Sequence, residues 1–188
     1  DFSQVESDAS RVDINTTFAL SYPERRPFFQ EGGDIFSSSM SVVYTRNIND
    51  PLAAMKLIQR SGRTAIAYLG ARDDHSPILI PLEERSFTAR GGRSVSNILR
   101  ARRTFGRNSF LGAIVTDRRL GAGGGGSVAG VDGQIAFAKV YQLEFQLLGS
   151  QTREPDNPSL TTEVDTLTFD RGTHTARFDG ETFTGFGQ

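Results

Sequence analysis

Apolar and polar residues alternate strictly in one run in the second half of the chain, and this pattern limits what the chain can fold into. Apolar residues occupy the odd positions and polar residues the even positions, as Tyr141, Leu143, Phe145 and Leu147 against Gln142, Glu144 and Gln146. Successive side chains of a β-strand point to opposite faces of a sheet, so the run predicts a strand with one apolar and one polar face. The preceding run, 131–138, shows the same pattern less strictly.

Strand-length runs recur in pairs along the chain. Short connections separate the runs of each pair, which are 52–60 with 63–71, 94–104 with 108–116, and 128–137 with 141–150. Longer connections separate the pairs, at 72–93, 117–126 and 151–172, and a last pair is predicted from Thr173 towards Phe186. Strands of roughly nine to eleven residues with alternating short and long connections are typical of membrane β-barrels. We predict an all-β fold, the N-terminal part of an antiparallel β-barrel of outer-membrane type.

The first 48 residues do not follow this rhythm. Residues 1–21 are polar apart from a short alternating piece at 12–15, and the β-rich run 40–46 stops at Asn49-Asp50-Pro51. Proline cannot donate to a strand ladder, so it favours a break there. We therefore predict two parts: residues 1–48 as a segment that leads into or plugs the barrel, and residues 49–188 as barrel strands.

Residues 22–36 concentrate conformationally constrained and interacting side chains. Pro23 and Pro27 disfavour helix there, and Gly32-Gly33 favours a tight turn. Aromatic and charged residues form the candidate plug or ligand contacts, namely Tyr22, Glu24, Arg25, Arg26, Phe28, Phe29, Glu31 and Asp34. We expect Arg25 and Arg26 to pair with these carboxylates or with a carboxylate of the barrel interior. A well-packed turn without a ligand explains the same residues equally well.

The run Pro-Glu-Arg-Arg-Pro-Phe-Phe-Gln-Glu-Gly at 23–32 resembles the Pro-Glu-Lys-Arg-Pro-Phe-Phe-Leu-Glu-Gly signature of a bacterial family of uncharacterised outer-membrane β-barrel proteins, domain-of-unknown-function family 5916. Residues 1–6 are similar to the Asp-Phe-Ser-Gln-Val-Glu that precedes this signature, and 115–118 with 128–132 resemble later barrel strands. Arg25 replaces the usual lysine and Gln30 the usual leucine. The resemblance implies a fragment of a longer protein, often with a preceding carbohydrate-binding-like domain. We expect the fragment alone to misfold or associate.

Composition excludes several classes of function. The chain has a net charge of −1, from 21 basic and 22 acidic residues, so no overall field attracts nucleic acid. It has no cysteine, which removes thiol catalysis and zinc–thiolate sites. His75 and His174 stand apart from any metal-ligand spacing, and no nucleophile elbow occurs. We expect no catalytic residue, no metal and no cofactor.

Charged residues on the predicted polar faces are candidates for a barrel interior. Arg100 and Arg102 lie two residues apart on one strand, and Glu144 lies on the polar face of another. These three side chains are predicted to line the lumen or to pair with the 22–36 segment. Ordinary rim charges would leave the same pattern.

Three classes of function remain open from the sequence. The first is an outer-membrane channel, transport or surface-binding component of the bacterial cell envelope, with membrane lipid, and glycan or other envelope proteins, as partners. The second is a soluble β-sandwich that binds glycans, in which the apolar face would pack on a second sheet instead of lipid. The third is a membrane-associated hydrolase, which lacks a visible nucleophile or metal set.

Overall fold

The computed structural model describes residues 24–43, 45, 48, 51–81, 86–90, 92–121, 123–138, 140–156, 167–169, 172–174 and 181–187. It is an all-β structure preceded by one helical turn, α1 (Pro27–Gln30), and one 3-10 turn (Gly33–Ile35). The strands are β1 (Pro51–Ser61), β2 (Thr64–Asp73), β3 (Pro77–Pro81), β4 (Ser86–Arg90), β5 (Ser94–Phe105), β6 (Ser109–Leu120), β7 (Gly125–Phe137), β8 (Tyr141–Arg153), β9 (Leu167–Phe169), β10 (Gly172–His174) and β11 (Thr182–Gly187).

Seven of the strands form one antiparallel sheet in the order β1-β2-β5-β6-β7-β8-β11. The other four form two small hairpins, β3 with β4 and β9 with β10, which lie in the connections β2–β5 and β8–β11. Within the described residues, β1 and β11 each pair along one edge only, so the sheet is open. The prediction of an antiparallel all-β fold is confirmed at this level, and the division at residue 48 stays a prediction.

Tight turns lie at one end of the large sheet and longer connections at the other. Gly62 begins the two-residue turn β1–β2 with φ 55°, a left-handed value that suits the twist of a hairpin. Gly106 has φ 61° in the turn β5–β6, and Ala138 has φ 48° in the turn β7–β8. The three predicted pairs, 52–60 with 63–71, 94–104 with 108–116 and 128–137 with 141–150, are therefore correct. The last predicted pair, from Thr173 towards Phe186, is not found among the described residues, where β10 pairs with β9 and β11 pairs with β8.

All three predicted longer connections are wrong in extent, and 151–172 contains the end of β8, β9 and the first residue of β10. The run 117–126 is mostly strand, because β6 continues to Leu120 and β7 begins at Gly125, leaving four residues between them. The run 72–93, read as a polar connection, contains the hairpin β3–β4. Polar residues at the ends of these strands face water without breaking the ladder, so hydrophobic alternation stops before the strand does.

The two faces of the large sheet differ in chemistry. One face, called the apolar face, exposes large hydrophobic side chains, namely Met55, Leu57, Ile66, Val95, Leu99, Phe105, Leu111, Val115, Val131, Ile135, Phe137, Tyr141, Leu143, Leu147 and Phe186. The opposite, covered face holds buried side chains of both kinds, among them Leu69, Ile98, Arg100, Asp132 and Gln146. The hydrophobic core lies on the covered face, so the more apolar side of the sheet is the side left open.

Residues 24–43, called the docking segment, pack on the covered face. Helix was predicted to be disfavoured here, and that prediction is wrong for one turn, since Pro27 begins α1. Proline is tolerated at the first helical position because its missing N–H would have no partner there. Arg26, which precedes this proline, has an extended backbone (φ −73°, ψ 121°), and Gly32 turns the chain with φ 68°. The β-rich run predicted at 40–46 contains no strand at its described positions, 40–43 and 45.

Candidate functional site

Aromatic and aliphatic side chains of the docking segment form its contact with the sheet. Phe29, Ile35 and Phe36 are buried in one cluster with Leu69 and Ile98 of the covered face. Burying side chains of this size stabilises a contact by about 1.5–3 kcal/mol each. This apolar contact holds the segment on the sheet, and the polar contacts described below fix its position.

Arg26 and Glu24 form the first polar cluster of the segment. The Arg26 guanidinium donates to the Glu24 carboxylate from Nε (2.9 Å) and Nη2 (2.8 Å), and to the carbonyl of Ile48 from Nη1 (2.6 Å). It also donates to the carbonyl of Thr45 (3.0 Å) and lies over the Phe29 ring, 4.2 Å from the ring centroid. A bidentate pair with carbonyl acceptors at the remaining donors is the geometry that arginine satisfies best.

The same cluster alters the acidity of Glu24. Burial acts to raise the pKa of this carboxyl group, but hydrogen bonds from Arg26, the Thr45 hydroxyl (2.6 Å) and the Arg26 backbone outweigh it. The pKa is lowered from 4.5 to about 2. Glu24 is therefore ionised at neutral pH and holds the charge of the largely buried Arg26 in place.

Strand β1 holds the docking segment through two cations on its covered face. Lys56 donates to the carbonyl oxygens of Phe28 and Glu31, the latter at 2.7 Å, and its Nζ lies 4.9 Å from the centroid of the Phe28 ring. Lys56 also lies 3.5 Å from the Glu31 carboxylate. Arg60 binds both oxygens of Asp34 at 2.8 Å, and these hydrogen bonds lower the pKa of Asp34.

Arg100 and Asp132 form the second polar cluster, at the centre of the covered face. The Arg100 guanidinium donates to both Asp132 oxygens, at 2.6 Å between Nη2 and Oδ2, and both side chains are almost fully buried. Its Nε donates to the carbonyl of Ile35 at 3.1 Å. The pair therefore links β5 and β7 with the docking segment above them.

Strand β8 holds the far end of the docking segment. The Gln146 amide exchanges two hydrogen bonds with the backbone of Met40, accepting from its N–H at 2.6 Å and donating to its carbonyl at 3.2 Å. The Ser39 hydroxyl bonds the Glu144 carboxylate. Because β1 and β8 are separated by four strands, the docking segment crosses most of the covered face.

A cavity of about 310 Å³ lies between the docking segment and the sheet. Its apolar lining includes Phe29, Phe36, Leu69 and Ile98, and hydroxyl groups of serines 37, 38 and 41 line it as well. Glu24 also lines the cavity, but its oxygens are already engaged by Arg26 and Thr45. The cavity is therefore a gap in the packing, and the Glu24 carboxylate in its wall already has its hydrogen-bond partners.

The predicted site residues have different partners in the structure. Glu24 and Arg26 pair with each other, whereas Glu31 and Asp34 pair with cations of β1 instead of with Arg25 or Arg26. The predicted interior charges Arg100, Arg102 and Glu144 lie on the covered face, with the Arg102 guanidinium 3.7 Å from the centroid of the Phe110 ring. Phe28 packs edge-on against Phe29. Arg25 is exposed, and Tyr22 lies outside the described residues.

Four partners were not singled out from the sequence: Lys56, Arg60, Asp132 and Gln146. All four occupy polar-face positions of predicted strands, so strand alternation was the available signal. The group that each of these side chains meets depends on the strand register and on the path of the docking segment. Neither is encoded by local spacing.

In the part of the chain that the structure describes, no three or more His, Asp or Glu residues cluster as a metal site would require. None of the helices described there has the length and apolar character to span a bilayer.

The fold and contacts define a class: an antiparallel β-sheet protein in which a docking segment preceding the sheet lies across its covered face. Residues 1–65 match a family described as a domain of unknown function (DUF5916). The matched part includes the docking segment and β1 with its two anchoring cations. No curated protein and no solved structure is significantly similar to the chain.

Proposed function

We propose that this chain forms part of the wall of a bacterial outer-membrane β-barrel, with its apolar face against lipid and its docking segment inside as a plug. The role that follows is that of a channel, transport or surface-binding component of the cell envelope. The observation that carries the proposal is the inverted character of the large sheet, which buries ionic side chains and exposes hydrophobic ones.

The extent of the apolar face supports a lipid environment. Fifteen large hydrophobic side chains are exposed on it, from Met55 on β1 to Phe186 on β11. Soluble monomers rarely expose contiguous apolar patches larger than a few hundred Å². A membrane barrel has an exposed apolar face because its lipid-facing and interior-facing residues alternate along each strand.

The dimensions of the strands support the same environment. The first six strands of the large sheet contain 10 to 13 residues. A tilted strand needs about 9–11 residues to cross the hydrocarbon. Barrels of this kind place their short turns on the periplasmic side, which is where the proposal puts the turns that contain Gly62, Gly106 and Ala138.

The covered face supports an interior role for the docking segment. Paired charges at Arg26–Glu24 and Arg100–Asp132 would be costly against lipid, but they are shielded between the segment and the sheet. Hydrocarbon also cannot satisfy the free edges of β1 and β11, so the proposal requires further strands to close the sheet. With the segment in place, the enclosed space is obstructed, which is the arrangement of a plugged barrel.

A tryptophan pair tests the proposal, because the chain contains no tryptophan of its own. Val115→Trp places an indole on the apolar face, and Thr116→Trp places one on the covered face of the same strand. In vesicles of phospholipid with brominated acyl chains, we expect strong quenching of the first indole and weak quenching of the second. Equal quenching contradicts the assignment of the faces. If the protein is monodisperse without detergent and does not bind to the vesicles, the membrane proposal is wrong and a soluble sandwich is favoured.

A further inference from the structure

The apolar stretch of the apolar face shifts along the strand direction between β1 and β8. On β1 it covers Ala53 to Leu57, with Met55 at its centre, and on β8 it covers Tyr141 to Gly149, with Phe145 at its centre. Two of the intervening strands have intermediate centres, close to Tyr68 on β2 and Ala113 on β6. The apolar band is therefore oblique to the rows of paired residues.

The ladder shows the obliquity directly. Starting at Met55, the row of paired residues passes through Gly70 and then becomes polar, at Asn97, Asp117, Ser127 and Gln151. Starting at Phe145, the row passes back through Gly133 and Leu111 and then becomes polar, at Arg103, Thr64 and Ser61. A band parallel to the rows would have kept each row apolar from one side of the sheet to the other.

The size of the shift gives an angle. The ladder counterpart of Phe145 on β1 is Ser61, six residues from Met55, and five strand-to-strand steps separate β1 from β8. With about 3.3 Å per residue and about 4.8 Å between strands, the band makes an angle of about 40° with the rows. Strands of membrane barrels tilt by about 35–45° from the barrel axis, so a lipid-facing band must cross the ladder at the same angle.

We infer that this oblique band is the bilayer contact, and that Met55 and Phe145 lie at the same depth, near the middle of the hydrocarbon. The inference rests on the proposed membrane location and adds the depth of individual residues and the tilt of the strands. The partner of the oblique band is the acyl-chain layer of a phospholipid membrane. Ser61 and Gln151, the ladder counterparts of Phe145 and Met55, lie about 15 Å from the middle, near opposite interfaces.

The borders of the band have the chemistry of membrane interfaces. Phe137 and Tyr141 stack at the tight-turn end, with ring centroids 5.7 Å apart. Aromatic side chains are enriched at the level of the lipid headgroups. At the other border, Asp117 and Arg119 form an exposed ion pair of 2.9 Å on the outward side of β6. Charges there would meet headgroups and water instead of acyl chains.

Four single-tryptophan variants test the inference: Met55→Trp, Phe145→Trp, Ser61→Trp and Gln151→Trp. Each full-length protein is placed in vesicles whose lipids carry bromine either deep or shallow in the acyl chain. We expect Met55→Trp and Phe145→Trp to be quenched alike and more strongly by deep bromine. We expect Ser61→Trp and Gln151→Trp to be quenched more strongly by shallow bromine.

The possible failures are distinguishable. If Phe145→Trp matches Ser61→Trp in depth while Met55→Trp matches Gln151→Trp, the rows lie parallel to the membrane. The oblique contact is then wrong, although the membrane location survives. If none of the four indoles is quenched by either lipid, the chain does not meet acyl chains, and the proposed function fails together with the inference.

Discussion

Arg100 and Asp132 bond to each other from β5 and β7, across the intervening strand β6, with 2.6 Å between Nη2 and Oδ2. Their side chains are 0% and 4% exposed. Gly112 of β6 lies beneath them, and the absence of a side chain there lets the pair close. The Arg100 Nε also donates to Ile35 of the docking segment. One buried ion pair thus couples the middle of the sheet to the segment that covers it.

The first prediction concerns the loss of one partner of this pair. Asp132→Asn leaves the buried Arg100 guanidinium without a counter-charge. Breaking a buried pair on one side costs about 3–5 kcal/mol, so we expect a loss of this order in the free energy of unfolding. Urea unfolding in detergent micelles, followed by far-ultraviolet circular dichroism, measures it.

Asp34→Asn is the matched control, because it removes the same charge from the exposed pair with Arg60. Exposed pairs contribute under about 1 kcal/mol, so this variant should unfold almost as the parent does. Similar losses for both variants would show that burial of the Arg100–Asp132 pair does not determine its contribution.

The second prediction concerns Gly112. A Cβ atom at this position would lie 2.7 Å from Asp132 Oδ1 and 2.8 Å from Arg100 Nη1. Gly112→Ala must therefore push the pair apart, and we expect a lowered midpoint of thermal unfolding. Gly33→Ala is the control, since a Cβ there meets nothing within 4 Å. A Gly112→Ala protein as stable as the Gly33→Ala protein would mean that the pair tolerates the added methyl group.

The sequence predicted the sheet from strand-length runs that recur in pairs and from the alternation of apolar and polar residues, which is clearest in β8. The run 141–150 was predicted as strand, and β8 continues to Arg153 through small and polar residues that carry no periodic signal. The end of β6 was not predicted for the same reason: Asp117, Arg118 and Arg119 resemble a loop in composition, but they remain paired with β5. Backbone pairing with a neighbouring strand determines these ends, and a single strand's pattern does not record it.

The sequence indicated the site only in part. Glu24 and Arg26 are close in the chain, so their pairing follows from local geometry. Arg100 and Asp132 lie 32 residues apart, and their meeting requires the register of β5, β6 and β7 together with the glycine between them. The sequence did not predict the helical turn at Pro27, because proline disfavours the interior of a helix. Proline is favourable at the first helical position, which is the position that Pro27 occupies.

The third prediction concerns pH. The pKa of Glu24 is lowered from 4.5 to about 2 in the folded protein. A carboxyl with a depressed folded pKa contributes stability that is fully present above its unfolded pKa and is lost as pH falls through the folded pKa. We therefore expect the docking segment to loosen as pH falls from about 4.5 towards 2. Exchange of the Phe29 and Gln30 amide hydrogens, which bond the Arg26 carbonyl, reports this loosening.

Glu24→Gln removes the titration and serves as the control for pH. After correction for intrinsic exchange rates, its segment should exchange faster than that of the parent at pH 6 and change little between pH 4.5 and pH 2. If parent and variant show the same pH profile, Glu24 does not govern the docking of the segment.

The last prediction separates a plug from a packed turn. Arg26 is buried and joins Glu24 to the carbonyls of Thr45 and Ile48, so Arg26→Ala leaves several buried groups without partners. We expect a stability loss of about 3–5 kcal/mol and, in planar bilayers, a larger leak current through the reconstituted full chain with its closing strands. Arg25→Ala is the control, because it removes the same atoms from the exposed neighbouring arginine. It should leave the stability and the leak current as they are in the parent protein. A destabilised Arg26→Ala protein with an unchanged current would show that the segment buttresses the sheet without blocking a passage through it.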